Sequence, residues 1–135
     1  MAENIALIGA GIMGHAIGTR LLERGHRLTV FDIDAAKVDA LVAKGARAVP
    51  HPAAAAGQSD FVILSLNHAD IVSRAVFGAD GIASAADATR LLIDMSSIDP
   101  AATVEMAARL KAQTGMAWLD CPLSGGVPGA LAGKL

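Results

Sequence analysis

Asn4-Ile5-Ala6-Leu7-Ile8-Gly9-Ala10-Gly11-Ile12-Met13-Gly14 is the stretch on which the fold turns. Its first five residues form a short, nearly continuous apolar run ended by glycine, the pattern of a strand buried on both faces. Beyond Gly11 the period changes. Met13, Ile17 and Leu21 recur at four-residue spacing, with Arg20, Glu23 and Arg24 off that stripe and Gly25 as a stop, so the spacing predicts a helix from Ile12 to Arg24. Gly9, Gly11 and Gly14 therefore form a GxGxxG directly between a strand and a helix. In that setting the first glycine makes the tight turn, the second lets backbone approach a pyrophosphate, and the third packs helix against strand.

Working outward, Leu28 to Ile33 reads as a second buried strand, and Asp32 near its end lies eighteen residues past Gly14. A carboxylate there is placed to accept hydrogen bonds from an adenosine ribose, while the helix N-terminus offers unpaired N–H groups to the phosphates. The plainer reading is a tight turn plus a strand-end acid that caps a helix. Strand, helix, spacing and acid all agree, which favours a dinucleotide. Asp32 would repel a 2′-phosphate, and Ile33 follows it rather than an arginine, so NAD is favoured over NADP. Arg47 is the one basic residue read as able to fold back toward such a phosphate.

The rest of the chain repeats the alternation. Asp34 is placed to cap a helix carrying Val38, Leu41 and Val42 and ending at Gly45; Ala46 to Val49 is a short strand, and a weak helix runs through Ala53–Ala56. Phe61 to Leu66 is the strongest strand, followed by a helix over Ala69–Phe77 and a short helical turn near Ile82 to Ala86. Leu91 to Met95 is another strand. Asp99-Pro100 opens a helix that runs to Thr114 and stops at Gly115, and Met116 to Leu119 is a last strand. Everything after Asp120 reads as Gly/Pro-rich loop with no closing element. Strands alternating with helices imply parallel strands with right-handed crossovers: a Rossmann-like, doubly wound α/β fold of six or seven mainly parallel strands, with helices on both faces and residues 1–135 as one dinucleotide-binding domain.

Composition narrows the function classes. With 53% hydrophobic and 18% charged residues the chain is not intrinsically disordered. A formal net charge of -2 gives no surplus for gripping a phosphate backbone, and three Phe, one Trp and no Tyr leave little for base stacking. Nucleic acid is therefore not an expected partner. Apolar runs are far below the ~18 residues of a membrane span, and strand-like sequence from Asn4 leaves no room for a targeting segment, so cytoplasm is the expected location. The single cysteine, Cys121, cannot form an internal disulfide, and no Cys/His spacing points to a metal.

Four separated motifs carry a family resemblance that covers essentially the whole chain. Gly9 to Gly14 with Met13 resembles GxGxMG, and Gly25 to Asp32 resembles GHxLxVxD. Asp94-Met95-Ser96-Ser97-Ile98-Asp99-Pro100 is similar to D-S-S-T-I-D-P, and Asp120-Cys121-Pro122-Leu123-Ser124-Gly125-Gly126 to D-A-P-V-S-G-G. Together, in this order, they resemble the β-hydroxyacid dehydrogenases, which include 3-hydroxyisobutyrate dehydrogenase and tartronate semialdehyde reductase. The resemblance implies that Gly9, Gly11, Ile12, Met13 and Gly14 line the pyrophosphate and that Asp32 meets the adenosine ribose. It implies that Leu66 and Asn67 touch the cofactor, that Ser97 lies near the nicotinamide ribose, and that Ser124, Gly125 and Gly126 hold a small hydroxyacid substrate. It also implies that the family's acid/base lysine lies beyond Leu135, leaving no catalytic group in this chain. The helical second domain, which makes the dimer, is likewise outside these residues, and the isolated chain is expected to be inactive.

Departures from the family pattern are Asn67 for proline, Arg20 for asparagine, Cys121 for alanine and Leu123 for valine. The rival readings are a non-catalytic NAD-binding module, which has no evident use for Ser124-Gly125-Gly126, and a relative of the NADP-dependent imine reductases, which Asp32-Ile33 disfavours. Gly129 to Leu135 superficially looks like a phosphate loop, but its spacing is one residue short and no Ser/Thr follows Lys134. His68 and His51 read as loop residues and His26 as structural; His15 lies near the phosphates, where exposure explains it equally well. Cys121 reads as a small filler, and Asp94 and Asp120 as strand-end acceptors that shape loops.

Overall fold

The computed structural model describes every residue from Met1 to Leu135. Asn4–Ile8 (β1) turns into Ile12–Glu23 (α1), and Arg27–Phe31 (β2) into Ala35–Val42 (α2). Arg47–Ala48 (β3), Pro52–Ala56 (α3), Phe61–Leu64 (β4) and Ala69–Phe77 (α4) follow. A 3-10 turn at Ile82–Ala85 leads to Leu91–Asp94 (β5), Pro100–Thr114 (α5), Ala117–Asp120 (β6) and Gly126–Ala132 (α6).

Six strands form one sheet in the order β3-β2-β1-β4-β5-β6, and every pairing is parallel. The chain builds outward from β1 to β3, then crosses back to start again at β4. That reversal leaves a crevice above the carboxyl ends of β1 and β4, where ligands bind in sheets of this kind.

The unbroken apolar runs are explained by the two layers they serve. Successive residues of a strand point to opposite faces. Ile5 and Leu7 of β1 join Leu28, Val30 and Ile63 in a core shared with Ala16, Ile17, Val38, Leu41 and Ala130, the α1–α2–α6 side. Ala6 and Ile8 join Val62, Leu64 and Leu92 in a second core against Ala55, Val72, Val76, Ile82 and Leu110, on the α3–α4–α5 side. Arg109 of α5 lies over the Phe77 ring of α4, 4.0 Å from its centroid, and ties that layer at its surface.

Caps fall where side-chain chemistry places them. The Asp34 and Asp99 carboxylates accept from the N–H groups of Ala36 and Ala101, and Gly115 ends α5 with φ 79°. His51, read as a loop residue, is the cap of α3: its Nδ1 accepts from the Ala54 N–H at 3.1 Å. His26 Nδ1 accepts from the Glu3 N–H at 3.1 Å and so is structural, as read.

The region after Asp120 departs from expectation. It is not loop throughout, because Gly126–Ala132 forms α6 and closes the α1 face, with Ala130 only 3% exposed. Glycine and proline content hid this helix, since both are poor helix formers in isolation. Pro128 falls in its first turn, where a missing N–H costs nothing, and the apolar Val127 and Ala130 dock on the core. Arg20 reaches the end of the same helix: a Cβ on Gly133 would stand 2.9 Å from its Nε.

Leu7 is fully buried at the centre of the first core, whereas Val104 of α5 is 70% exposed. Leu7→Ala is expected to lower the unfolding free energy by about 2–5 kcal/mol, and Val104→Ala by less than about 0.5 kcal/mol, as read from denaturant midpoints.

Candidate functional site

The glycine turn is built by two collisions and one vacancy. Gly9 has φ 101°, and a Cβ there would run into the Ser65 carbonyl oxygen at the end of β4. A Cβ on Gly14 would strike the carbonyl oxygen of Gly9 itself. These two positions are glycine because α1 packs this closely on the sheet. Gly11 differs: nothing lies within 4 Å of where its Cβ would be, and its φ of -66° suits any residue. The fold does not need a glycine there, and the position opens onto empty space.

Gly11 is also the N-cap of α1, with no side-chain cap and no acidic residue in the first turn. The leading N–H groups of this helix are therefore left to bind something other than the protein, and the helix dipole favours an anion. A pyrophosphate fits that cradle.

Asp32 follows β2 and is half-buried. Its Oδ2 accepts from the Ala10 N–H at 2.7 Å and its Oδ1 from the Asp34 N–H at 2.9 Å, so it clips the end of β2 to the glycine turn. Each oxygen keeps a further lone pair for a ribose hydroxyl. The plainer reading of Asp32 as a helix cap does not hold, because Asp34 caps α2 and Asp32 braces the turn before it. Ile12 and Ile33, 81% and 96% exposed, stand on this rim as large apolar side chains that the fold leaves uncovered. The exposure of Ile33 depends on tertiary packing and leaves no mark in the local sequence.

Arg47 is not near this rim. It pairs in register with Thr29, and its Nη1 donates to Gln58 Oε1 at 2.7 Å, by the amino end of β4. Its guanidinium is held by Gln58 rather than directed at the Asp32 rim.

Across β1 lies the other rim. Leu66 is half-buried and Asn67 and Ser97 are exposed, at the carboxyl ends of β4 and β5. Ser96, the neighbour of Ser97, is not among the expected site residues, yet it is buried: its Oγ accepts the Leu66 N–H at 2.9 Å, and its own N–H donates to Asp94 Oδ1 at 2.9 Å. Asp94 is completely buried, and its Oδ2 has no partner. Burial pushes its carboxyl above the ordinary value, outweighing the hydrogen bonds from Ser96, and the Asp120 charge adds to the rise. Asp94 and Asp120 are register partners on β5 and β6. The loop-shaping role read for Asp94 is seen directly; Asp120 is exposed.

Past β6, Ser124, Gly125 and Gly126 are all exposed. Gly125 and Gly126 have φ of 113° and 61°, consecutive left-handed values that turn the backbone sharply at the start of α6. Half-buried Cys121 donates its N–H to the Asp94 carbonyl at 2.8 Å. His68 caps α4 by backbone only and is exposed. His15 lines a groove of about 690 Å³ between α1, α2 and α6, which shares Gly11 and Ile12 with the cofactor rim. No helix is long and apolar enough to cross a membrane.

A parallel sheet with this strand order, an uncapped helix N-terminus behind a GxGxxG turn and an acid at the end of the second strand define a dinucleotide-binding domain. The family model for the NAD binding domain of 6-phosphogluconate dehydrogenase matches residues 4–135. The chain is 40% identical over 131 residues to 2-(hydroxymethyl)glutarate dehydrogenase of Eubacterium barkeri, covering 97% of this chain and 43% of that protein. It is 38% identical to 3-sulfolactaldehyde reductase of Escherichia coli, covering 97% and 44%. The solved structure of Mycobacterium tuberculosis 3-hydroxyisobutyrate dehydrogenase with L-serine superposes with a TM-score of 0.88 at 34% identity, over 98% of this chain and 44% of that one. This chain belongs to that family of NAD-binding domains, and it spans less than half the length of these relatives.

Two expectations follow. Gly11→Ala leaves stability within about 0.5 kcal/mol but weakens NAD binding, because the methyl occupies the approach; Gly14→Ala costs about 1–3 kcal/mol of stability through its backbone collision. Unfolding and NAD titrations on both variants separate the two roles. Because burial raises the folded-state pKa of Asp94 above the ordinary carboxylate value, the native state holds the proton more tightly than the unfolded chain. Asp94 therefore makes stability fall as pH rises from the ordinary carboxylate range through the raised value. Asp94→Asn is expected to remove that fall, measured as urea midpoints across the acid range.

Proposed function

We infer that this chain is the NAD-binding part of an oxidoreductase that acts on a small 3-hydroxyacid or its semialdehyde. Open space at Gly11, at the mouth of an uncapped helix, is the observation that carries the cofactor half of this reading. The names of the relatives, which are dehydrogenases or reductases of small acids, support the substrate half.

The chain's own residues divide the work along the crevice. The α1 N-terminus and the Gly9–Gly14 turn, with Ile12 and Met13, hold the pyrophosphate by N–H groups and dipole. Asp32 accepts from the adenosine ribose hydroxyls and disfavours a 2′-phosphate, so NAD is taken in preference to NADP. Leu66, Asn67 and Ser97 line the nicotinamide side. The bound nicotinamide supplies a hydride donor or acceptor. Ser124 and the N–H groups of the Gly125–Gly126 turn orient the substrate's carboxylate and hydroxyl beside it, since turned glycine backbone forms an anion-binding concavity. Holding two reactants in register is the larger part of what such a site contributes.

By resemblance, the lysine that moves the proton at the substrate oxygen belongs to a segment after Leu135, as do the second, helical domain and the dimer contact. A sensor without catalysis remains the competing reading, and the Ser124–Gly126 turn weighs against it.

Calorimetric titration with NAD and NADP tests the cofactor assignment. NAD is expected to bind at least about tenfold more tightly, a difference of ~1.4 kcal/mol, and Asp32→Ala to weaken NAD and narrow the gap. Unchanged NAD affinity in that variant would remove the ribose role. Turnover of 3-hydroxyacids by the 135-residue chain, followed by NADH absorbance, is expected to fall about 10²–10⁴-fold below that of a complete relative, the usual cost of losing an acid/base group.

A further inference from the structure

We propose that Asp94, acting through Ser96, is the positioning residue that fixes the nicotinamide-side rim of the crevice. The inference rests on the cofactor reading above and deepens it.

The β4–β5 ladder ends with the register pair Leu64 and Asp94, and its last backbone bond runs from the Met95 N–H to the Leu64 carbonyl at 2.9 Å. Beyond that point the two strands have no common ladder. What keeps their loops together is a side-chain relay. The Leu66 N–H donates to Ser96 Oγ at 2.9 Å, and the Ser96 N–H donates to Asp94 Oδ1 at 2.9 Å. Ser96 is 4% exposed and Asp94 is 0% exposed, so water does not compete for either bond. Leu66 in turn covers Gly9, with its Cδ2 2.9 Å from where a Cβ of that glycine would be.

A buried carboxyl with one oxygen unpartnered is an expensive way to fill space. An aliphatic residue at position 94 would pack without that cost, yet it could not hold the Ser96 N–H. Asp94 also gives its carbonyl to the Cys121 N–H at 2.8 Å, at the root of the loop that leads to Ser124. One residue at the end of β5 thereby sets the Leu66–Asn67 and Ser96–Ser97 loops and meets the start of the Ser124 loop. Asp32 and the adenosine rim stand on β2, on the far side of β1, and have no bond to this relay.

That separation makes the role measurable. ADP carries the adenosine and pyrophosphate alone, whereas NAD also spans the second rim. In the 135-residue chain, Ser96→Ala and Asp94→Ala are expected to raise the NAD dissociation constant about five- to tenfold, the scale of one hydrogen bond, and to leave that for ADP within about twofold. Asp94→Asn keeps a carbonyl oxygen for the Ser96 N–H and is expected to restore NAD affinity to within about twofold of the parent. Thermal unfolding of each variant accompanies the titrations. If Asp94→Ala does not fold, Ser96→Ala and Asp94→Asn decide the matter. Equal losses for NAD and ADP, no loss for either, or an Asp94→Asn variant that loses as much NAD affinity as Ser96→Ala would overturn the positioning role. A parent chain that binds neither ligand overturns the cofactor reading itself, and this inference falls with it.

Discussion

The close approach of α1 to the carboxyl ends of β1 and β4 is the contact on which the rest of this domain depends. Gly9 lies against the Ser65 carbonyl and Gly14 against the Gly9 carbonyl, so the helix begins within a backbone's width of the sheet. Packing at that distance directs the first turn of α1 into the crevice rather than past it. The uncapped N–H groups come from Gly11, which brings no side chain to an N-cap position that opens onto empty space. Structural economy and anion binding are here one arrangement: the turn that lets the helix pack is the turn that leaves its positive end free.

The sheet then sorts the crevice into two rims with different physics. On the β2 side, a clipped carboxylate and two exposed isoleucines offer hydrogen-bond acceptors and apolar faces. On the β4–β5 side, order comes from a buried relay in low dielectric, where each bond is stronger and each missing partner more costly. The raised pKa of Asp94 is the signature of that cost, caused first by burial and then by the neighbouring Asp120.

Much of this was legible in the residues. The β1–turn–α1 unit, the capping roles of Asp34 and Asp99, the stop at Gly115 and the α4 boundaries all depend on local chemistry, and the structure agrees with them. Position 126–132 was not legible, because Gly126, Pro128 and Gly129 argue against a helix when only intrinsic propensity is weighed. Docking of Val127 and Ala130 on α1 supplies the missing stabilisation, and no local pattern announces it. Ser96 was missed beside Ser97 for a related reason, since two adjacent serines differ only in which way the strand end faces.

The sequence by itself determined the layered α/β class, the place of the glycine turn and the acid at the end of β2, because each is written in periodicity and spacing along a few consecutive residues. Tertiary structure alone decided that Gly11 faces open space while Gly9 and Gly14 face backbone, that Arg47 turns to Gln58 rather than to the Asp32 rim, and that Asp94 is buried with one oxygen free. Those facts depend on what residues distant in the chain bring alongside, and contact between distant residues is fixed only when the sheet has closed.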